Sequence, residues 1–144
     1  IVGRGWRHAC GTFSGNTTKT AFLDFVSQGT LGTSITFNTA VDRTRVGARG
    51  DSTPNADLAA QIAYTQTFNR ELSPAEMRQA AYLPGTVRSG LRVFWPLSAA
   101  AGLTEMDFSG NGFHGTTSGG VIGANSPPVN GMSMPCPANG SYGM

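Results

Sequence analysis

Apolar and polar residues alternate along much of this chain with a period of two, the spacing of strands that bury one face. Residues 2–13, VGRGWRHACGTF, have strand composition and run into the turn cluster Ser14-Gly15-Asn16. TKTAFLDFVSQG then predicts a strand centred on Ala21 to Val26. In TSITFN, residues 33–38, Ile35 and Phe37 alternate with polar neighbours, and RTRVGAR, residues 43–49, predicts a further strand. Farther on, Ile62, Tyr64, Gln66 and Phe68 share one face of a strand whose other face carries Ala63, Thr65 and Thr67.

The period changes at LSPAEMRQAAYLPG. Ser73 is placed to cap a helix, Pro74 suits its first position, and Glu76 can reach back to the cap amide, which together make a capping box. Helix formers follow from Ala75 to Ala81, and Pro84-Gly85 stops the run, so a helix of about ten residues is expected. Strand character returns in LRVFWPL, where Leu91, Val93 and Trp95 alternate with Arg92 and Phe94 and Pro96 marks a strand end. DFSGNGFHGT reads as a turn with Gly110, Asn111 and Gly112 at positions suited to positive φ. From Asn125 the tail has no period and many breakers, which divides the chain into a folded part, 1–124, and an irregular Pro/Gly-rich arm, 125–144.

Composition supports this outline. Twenty glycines, eight prolines and only 12 % charged residues in 144 favour short strands and tight turns, hence an all-β class. A net charge of +2, carried mostly by arginines scattered from Arg4 to Arg92, is too small for a nucleic-acid footprint. No apolar run is long enough to span a bilayer as a helix. The first residues lack a start Met and a signal-peptide layout and read like the inside of a strand, which leads us to expect an earlier part of a longer protein. Cys10 and Cys136 are too few for a zinc site or a disulfide framework; two free thiols and a single Cys10–Cys136 bridge both stay open.

Three landmarks carry a family resemblance. WRHACGTFSGN with LDFVSQG, AQIAYTQTFNRELSPAEM, and GLRVFWPL followed by DFSGNGFHGT resemble, in that order, the Trp-x-His strand and hairpin, the Gln-Ile-Ala strand with its short helix, and the Trp-Pro-Leu and Asp-x-Ser-Gly-Asn-Gly segments of LamG-like, concanavalin A-type jelly rolls. The resemblance implies an antiparallel β-sandwich jelly roll with one short helix. In a complete domain of that family the Asp-x-Ser-Gly-Asn-Gly segment comes early, whereas here it follows the helix. Two layouts accommodate this: the back half of one jelly roll running into the next, or a variant whose Trp-Pro-Leu segment closes the sandwich. The second, with Ser126-Pro127-Pro128-Val129 behind it, is similar to LamG-like proteins of tailed bacteriophages and is the one we favour. Two departures stand out: Asp24-Phe25 replaces the family's Asp-Gly hairpin turn, and Leu58-Ala59-Ala60 replaces an aromatic and a glycine.

Chemistry-bearing residues are few. The tripeptide Arg49-Gly50-Asp51 spells a cell-attachment signal, but its place after the Val46-Gly47 strand makes it a turn first, with Arg49 and Asp51 as candidate partner contacts. Tyr64 and Trp95 are candidate glycan-stacking rings, set against core packing at alternating spacing, as is Phe94. The family often holds calcium at one rim, which nominates Asp107 and Asn111 as ligands, against an Asx-turn role for Asp107 and a left-handed conformation for Asn111. Glu105 and Asp107 resemble part of the Glu-x-Asp-x-x-Glu motif of jelly-roll glucanases, yet Gly110 stands where the acid/base would be. His8 and His114 are isolated.

The expectation is therefore a non-enzymatic virion structural protein. It would sit on a capsid or tail surface as a decoration-type jelly roll, touching other virion proteins, its own copies or host surface glycans, with no nucleic acid or membrane partner. The alternative is a carbohydrate-binding or adhesion module of a larger secreted bacterial protein, extracellular or at the cell surface.

Overall fold

The computed structural model describes residues 5–15, 17–34, 44–47 and 60–119. These form antiparallel sheets with one short helix, a small β-rich fold. The single strand that composition predicts around 21–26 is instead two strands and a turn, the hairpin that LDFVSQG resembles. β1 (Ala9–Ser14), β2 (Thr18–Leu23) and β3 (Val26–Leu31) make a three-stranded sheet in sequence order, with Cys10 opposite Phe22 and Lys19 opposite Leu31.

The β2–β3 turn is Asp24-Phe25, with φ of 47° and 68°. Both values suit a type I′ hairpin, so the turn keeps its geometry without the usual glycine. A left-handed Phe costs about 1–2 kcal/mol, and its surroundings offset this. The Phe25 ring stacks on His8 with centroids 4.9 Å apart, lies 5.8 Å from the Tyr82 ring, and has the Arg78 guanidinium 5.8 Å from its centre. Each such contact contributes roughly 0.5–1.5 kcal/mol. Asp24 closes the turn from the other side: its carboxylate accepts from Arg7 Nε and, at 2.9 Å, from His8 N–H.

Of the three remaining strand expectations, two fall partly outside the described residues and one shortens. Thr33 and Ser34 carry no strand, and the rest of 33–38 lies outside the described residues. The described part of 43–49, residues 44–47, ends in a bend in which Gly47 adopts φ 79°. The strand expected from Ile62 shortens to β4 (Thr65–Phe68), because Tyr64 adopts φ 56° and interrupts the alternation. β4 pairs with β5 (Leu91–Trp95), Thr65 opposite Trp95, with a bulge between Thr67 and Phe68.

Helix α1 (Pro74–Tyr82) starts as its capping box requires. Ser73 Oγ accepts from Glu76 N–H at 3.3 Å, and the Glu76 carboxylate accepts from Ser73 N–H at 2.9 Å and from both terminal nitrogens of Arg70 at 3.0 and 2.6 Å. The Arg70 guanidinium first, then the Ser73 donors, hold the Glu76 carboxyl down at about 2. At the other end Gln66 joins helix to sheet: its amide donates to Ala80 O and accepts from Gly85 N–H, each at 3.0 Å.

Met77 and Ala80 of the helix, Pro84 and Val87 after it, and Leu91 and Phe94 of β5 form the buried core. Burying Phe94 alone contributes about 2–3 kcal/mol. Gly85, at φ 76°, is required there: a Cβ on it would lie 2.7 Å from the Phe94 ring. The three-stranded sheet meets the helix through Cys10, a free thiol whose Sγ lies 3.8 Å from Met77 Sδ and whose ionisation burial pushes up. Its opposite face is apolar and open, with Phe13, Val26 and Leu31 61, 63 and 65 % exposed.

Candidate functional site

The residues of greatest chemical interest lie after β5, where the chain must turn back twice. Leu97, at φ 61°, redirects it out of the strand, and its own amide and those of Ser98 and Ala99 would have no strand partner. Glu105 supplies one. From β6 (Thr104–Glu105), which pairs with β7 (Gly115–Thr116), its carboxylate accepts from the N–H groups of Leu97, Ser98 and Ala99 at 2.8, 3.0 and 2.8 Å. The residue is only 3 % exposed, so these bonds satisfy the oxygens of a buried polar group.

Asp107, 8 % exposed, organises the second turn. Oδ1 accepts from Phe94 N–H and Ser109 N–H, each at 2.9 Å. Oδ2 accepts from Ser109 Oγ at 2.8 Å and Phe113 N–H at 3.0 Å. Burial alone would push this carboxyl up; the donors of Phe94, Ser109 and Phe113 outweigh it and hold it at about 2. The Ser109 N–H bond is the Asx-turn contact. Asn111 completes the brace with its amide NH2, donating to Leu91 O, Arg92 O and Ser109 Oγ at 3.0 Å each. The left-handed positions around it are taken by Gly110 (φ 94°) and Gly112 (φ 76°), not by Asn111, contrary to one sequence expectation.

A calcium ion takes six to eight oxygen ligands. Here the nominated carboxylate already receives four hydrogen bonds, and the nominated amide is tied to the β5 backbone through its NH2 group, the arrangement of a braced turn. Among the described residues no three His, Cys, Asp or Glu side chains come together as a metal cluster. As an acid pair, Glu105 and Asp107 hold separate sets of backbone donors. A carboxyl held at about 2 is a poor general acid at neutral pH.

The other nominated residues are placed as follows. Trp95 is half-buried; its Nε1 donates to Phe113 O at 2.8 Å and Gly115 leaves room against its ring, so it works as a packed strut. Tyr64 is half-buried beside the strand end, its N–H donating to Pro96 O at 3.2 Å. Arg49 and Asp51 lie outside the described residues, as does Cys136. His114 Nδ1 accepts from Asp107 N–H at 3.0 Å. His8 Nδ1 is buried without a hydrogen-bond partner among the described residues, and burial lowers the ring's pKa against the raising effect of Asp24.

The alternation pattern did not single out Met106, Phe108 and Phe113, which are about half exposed around the braced turn, nor Arg88 and Arg92 beside them. Arg88 Nη1 donates to Phe108 O at 3.1 Å, and the Arg92 guanidinium lies 5.5 Å from the centre of the Phe113 ring. The only signal for them in the chain is that two phenylalanines flank a Ser-Gly-Asn-Gly turn, which tends to face solvent.

Comparison with protein-family models, curated proteins and solved structures gives no match. No helix among the described residues is long and apolar enough to cross a membrane.

Proposed function

We propose that this chain is a non-enzymatic structural module, a LamG-like jelly roll of a phage virion displayed on the capsid or tail surface. It works by docking onto other proteins of the particle. One observation carries the docking role: the open face of the three-stranded sheet, where Phe13, Val26 and Leu31 are all more than 60 % exposed and, among the described residues, Lys19 is the one charged side chain of the strands' face. A single exposed apolar residue is ordinary, whereas several on one sheet face mark a surface that another layer covers. The carboxylates fit the same reading, since both are engaged in holding loops rigid. The virion assignment itself rests on the sequence resemblance.

Mass spectrometry of particles purified from the culture that carries this sequence tests it. The chain in many symmetric copies per particle supports the reading; its absence from particles, with recovery from the secreted fraction beside a neighbouring enzyme domain, replaces it with the adhesion module. A glycan array with and without calcium tests sugar contact, and no bound sugar removes host glycans from the partners.

A further inference from the structure

We propose that the braced turn after β6 is the docking surface for a protein segment that carries Asp or Glu side chains beside an apolar one. The proposal names a partner chemistry for the assembly role and rests on that reading. Three observations converge on it.

First, the turn presents apolar surface outward: Met106, Phe108 and Phe113 are 51, 53 and 46 % exposed. Second, it is rigid. Asp107 and Asn111 together tie it to the backbone of β5 at Leu91, Arg92 and Phe94. A ring held in place before binding loses less entropy on contact than one on a mobile loop. Third, its charge is one-sided. Glu105 and Asp107 are buried and engaged with backbone donors, while Arg88 and Arg92 are exposed and make no ion pair among the described residues.

Each guanidinium is tied to the turn, Arg88 through its bond to the Phe108 backbone O and Arg92 by its position over the Phe113 ring. An arginine so positioned keeps further N–H donors for a carboxylate, and its planar fork suits bidentate pairing. Aromatic, Met and Arg side chains without Lys are the composition enriched in protein–protein interfaces. Two arginines are too few for a nucleic-acid footprint and leave the apolar side chains unexplained.

The test is fluorescence anisotropy with the full chain and three labelled probes. One is a short synthetic peptide alternating Glu or Asp with Leu and Trp; the second has every acid replaced by Lys; the third is oligothymidylate. We expect the acidic peptide to bind best, binding to weaken as salt rises, and Arg88→Gln/Arg92→Gln to weaken it at least about tenfold. Circular dichroism and melting establish that the variant is folded. Equal or tighter binding of the Lys peptide or the oligonucleotide overturns the proposal, as does a folded variant with unchanged affinity. Should the variant not fold, binding by the natural chain that is indifferent to salt overturns it equally. Peptide binding by a chain absent from virions leaves this surface standing and removes the particle assignment; a chain present in virions without the acidic preference does the reverse.

Discussion

Replacing Asp107 by Asn is the sharpest test of how the turn is built. The change keeps shape but removes the charge and turns one acceptor oxygen into a donor. In the native turn the two oxygens receive four hydrogen bonds, two each. With Asn, Ser109 Oγ can rotate to accept, but at least one of the amides of Phe94, Ser109 or Phe113 faces an NH2 group. An unmatched buried N–H costs about 1–3 kcal/mol. The electrostatic part follows from the carboxyl being held at about 2 against an ordinary 3.8. At about 1.4 kcal/mol per pH unit, and discounted for screening at the edge of the turn, this is roughly 1–2 kcal/mol. Asp107→Asn should therefore destabilise the fold by about 2–4 kcal/mol at neutral pH. Because the folded pKa is depressed, the electrostatic part is fully present above about 4 and is lost as pH falls toward about 2. Urea unfolding at pH 7 and again near pH 2.5 checks both. A variant within about 0.5 kcal/mol of the natural protein at pH 7 would refute the bracing role, and a difference that does not shrink in acid would refute its electrostatic share.

Further outcomes are expected elsewhere. Gly85→Ala should cost about 2–4 kcal/mol because it combines φ 76° with a Cβ 2.7 Å from the Phe94 ring, whereas Gly102→Ala, at φ 81° in open space, should cost about 1–2; equal urea midpoints would deny the close contact. Ser73→Ala should remove about 1 kcal/mol by uncapping α1, and an NMR titration should find Glu76 deprotonating near 2, its stabilisation present above 4.5 and lost in acid. Phe25→Gly should expose His8 and raise its pKa toward the ordinary 6.5, readable from the imidazole resonances; an unchanged titration would mean that Phe25 does not bury the ring. Millimolar calcium should move the melting temperature by less than about 1 °C, and a larger rise would support Asp107 and Asn111 as ligands.

Helix α1 was legible residue by residue because a capping box is a local device: Ser73, Pro74 and Glu76 satisfy the first turn within four positions of one another. β5 was plain as a strand ending at Pro96, although its burial does not follow the alternation, since Phe94 joins Leu91 in the core. The hairpin was less so. LDFVSQG lacks the glycine that advertises a type I′ turn, and Phe25 holds its left-handed conformation through His8, Tyr82 and Arg78, two of them more than fifty positions away. Likewise the even alternation from Ile62 to Phe68 predicts a longer strand than forms, since Tyr64 turns where it meets Pro96.

Local pattern suffices for what is decided over a few residues: the β-rich class, the helix and its ends, and the glycines at the Ser-Gly-Asn-Gly turn. What Glu105 and Asp107 do depends on contacts between segments that folding brings together. A carboxylate two residues from another reads as chemistry in a line of letters, and its role depends on which donors folding brings to it. Here these include the amides of Phe94 and of Leu97 to Ala99, carried in from the end of β5. The same closure buries the acids and leaves Arg88, Arg92, Phe108 and Phe113 outside, a division of charge that no spacing rule along the chain contains.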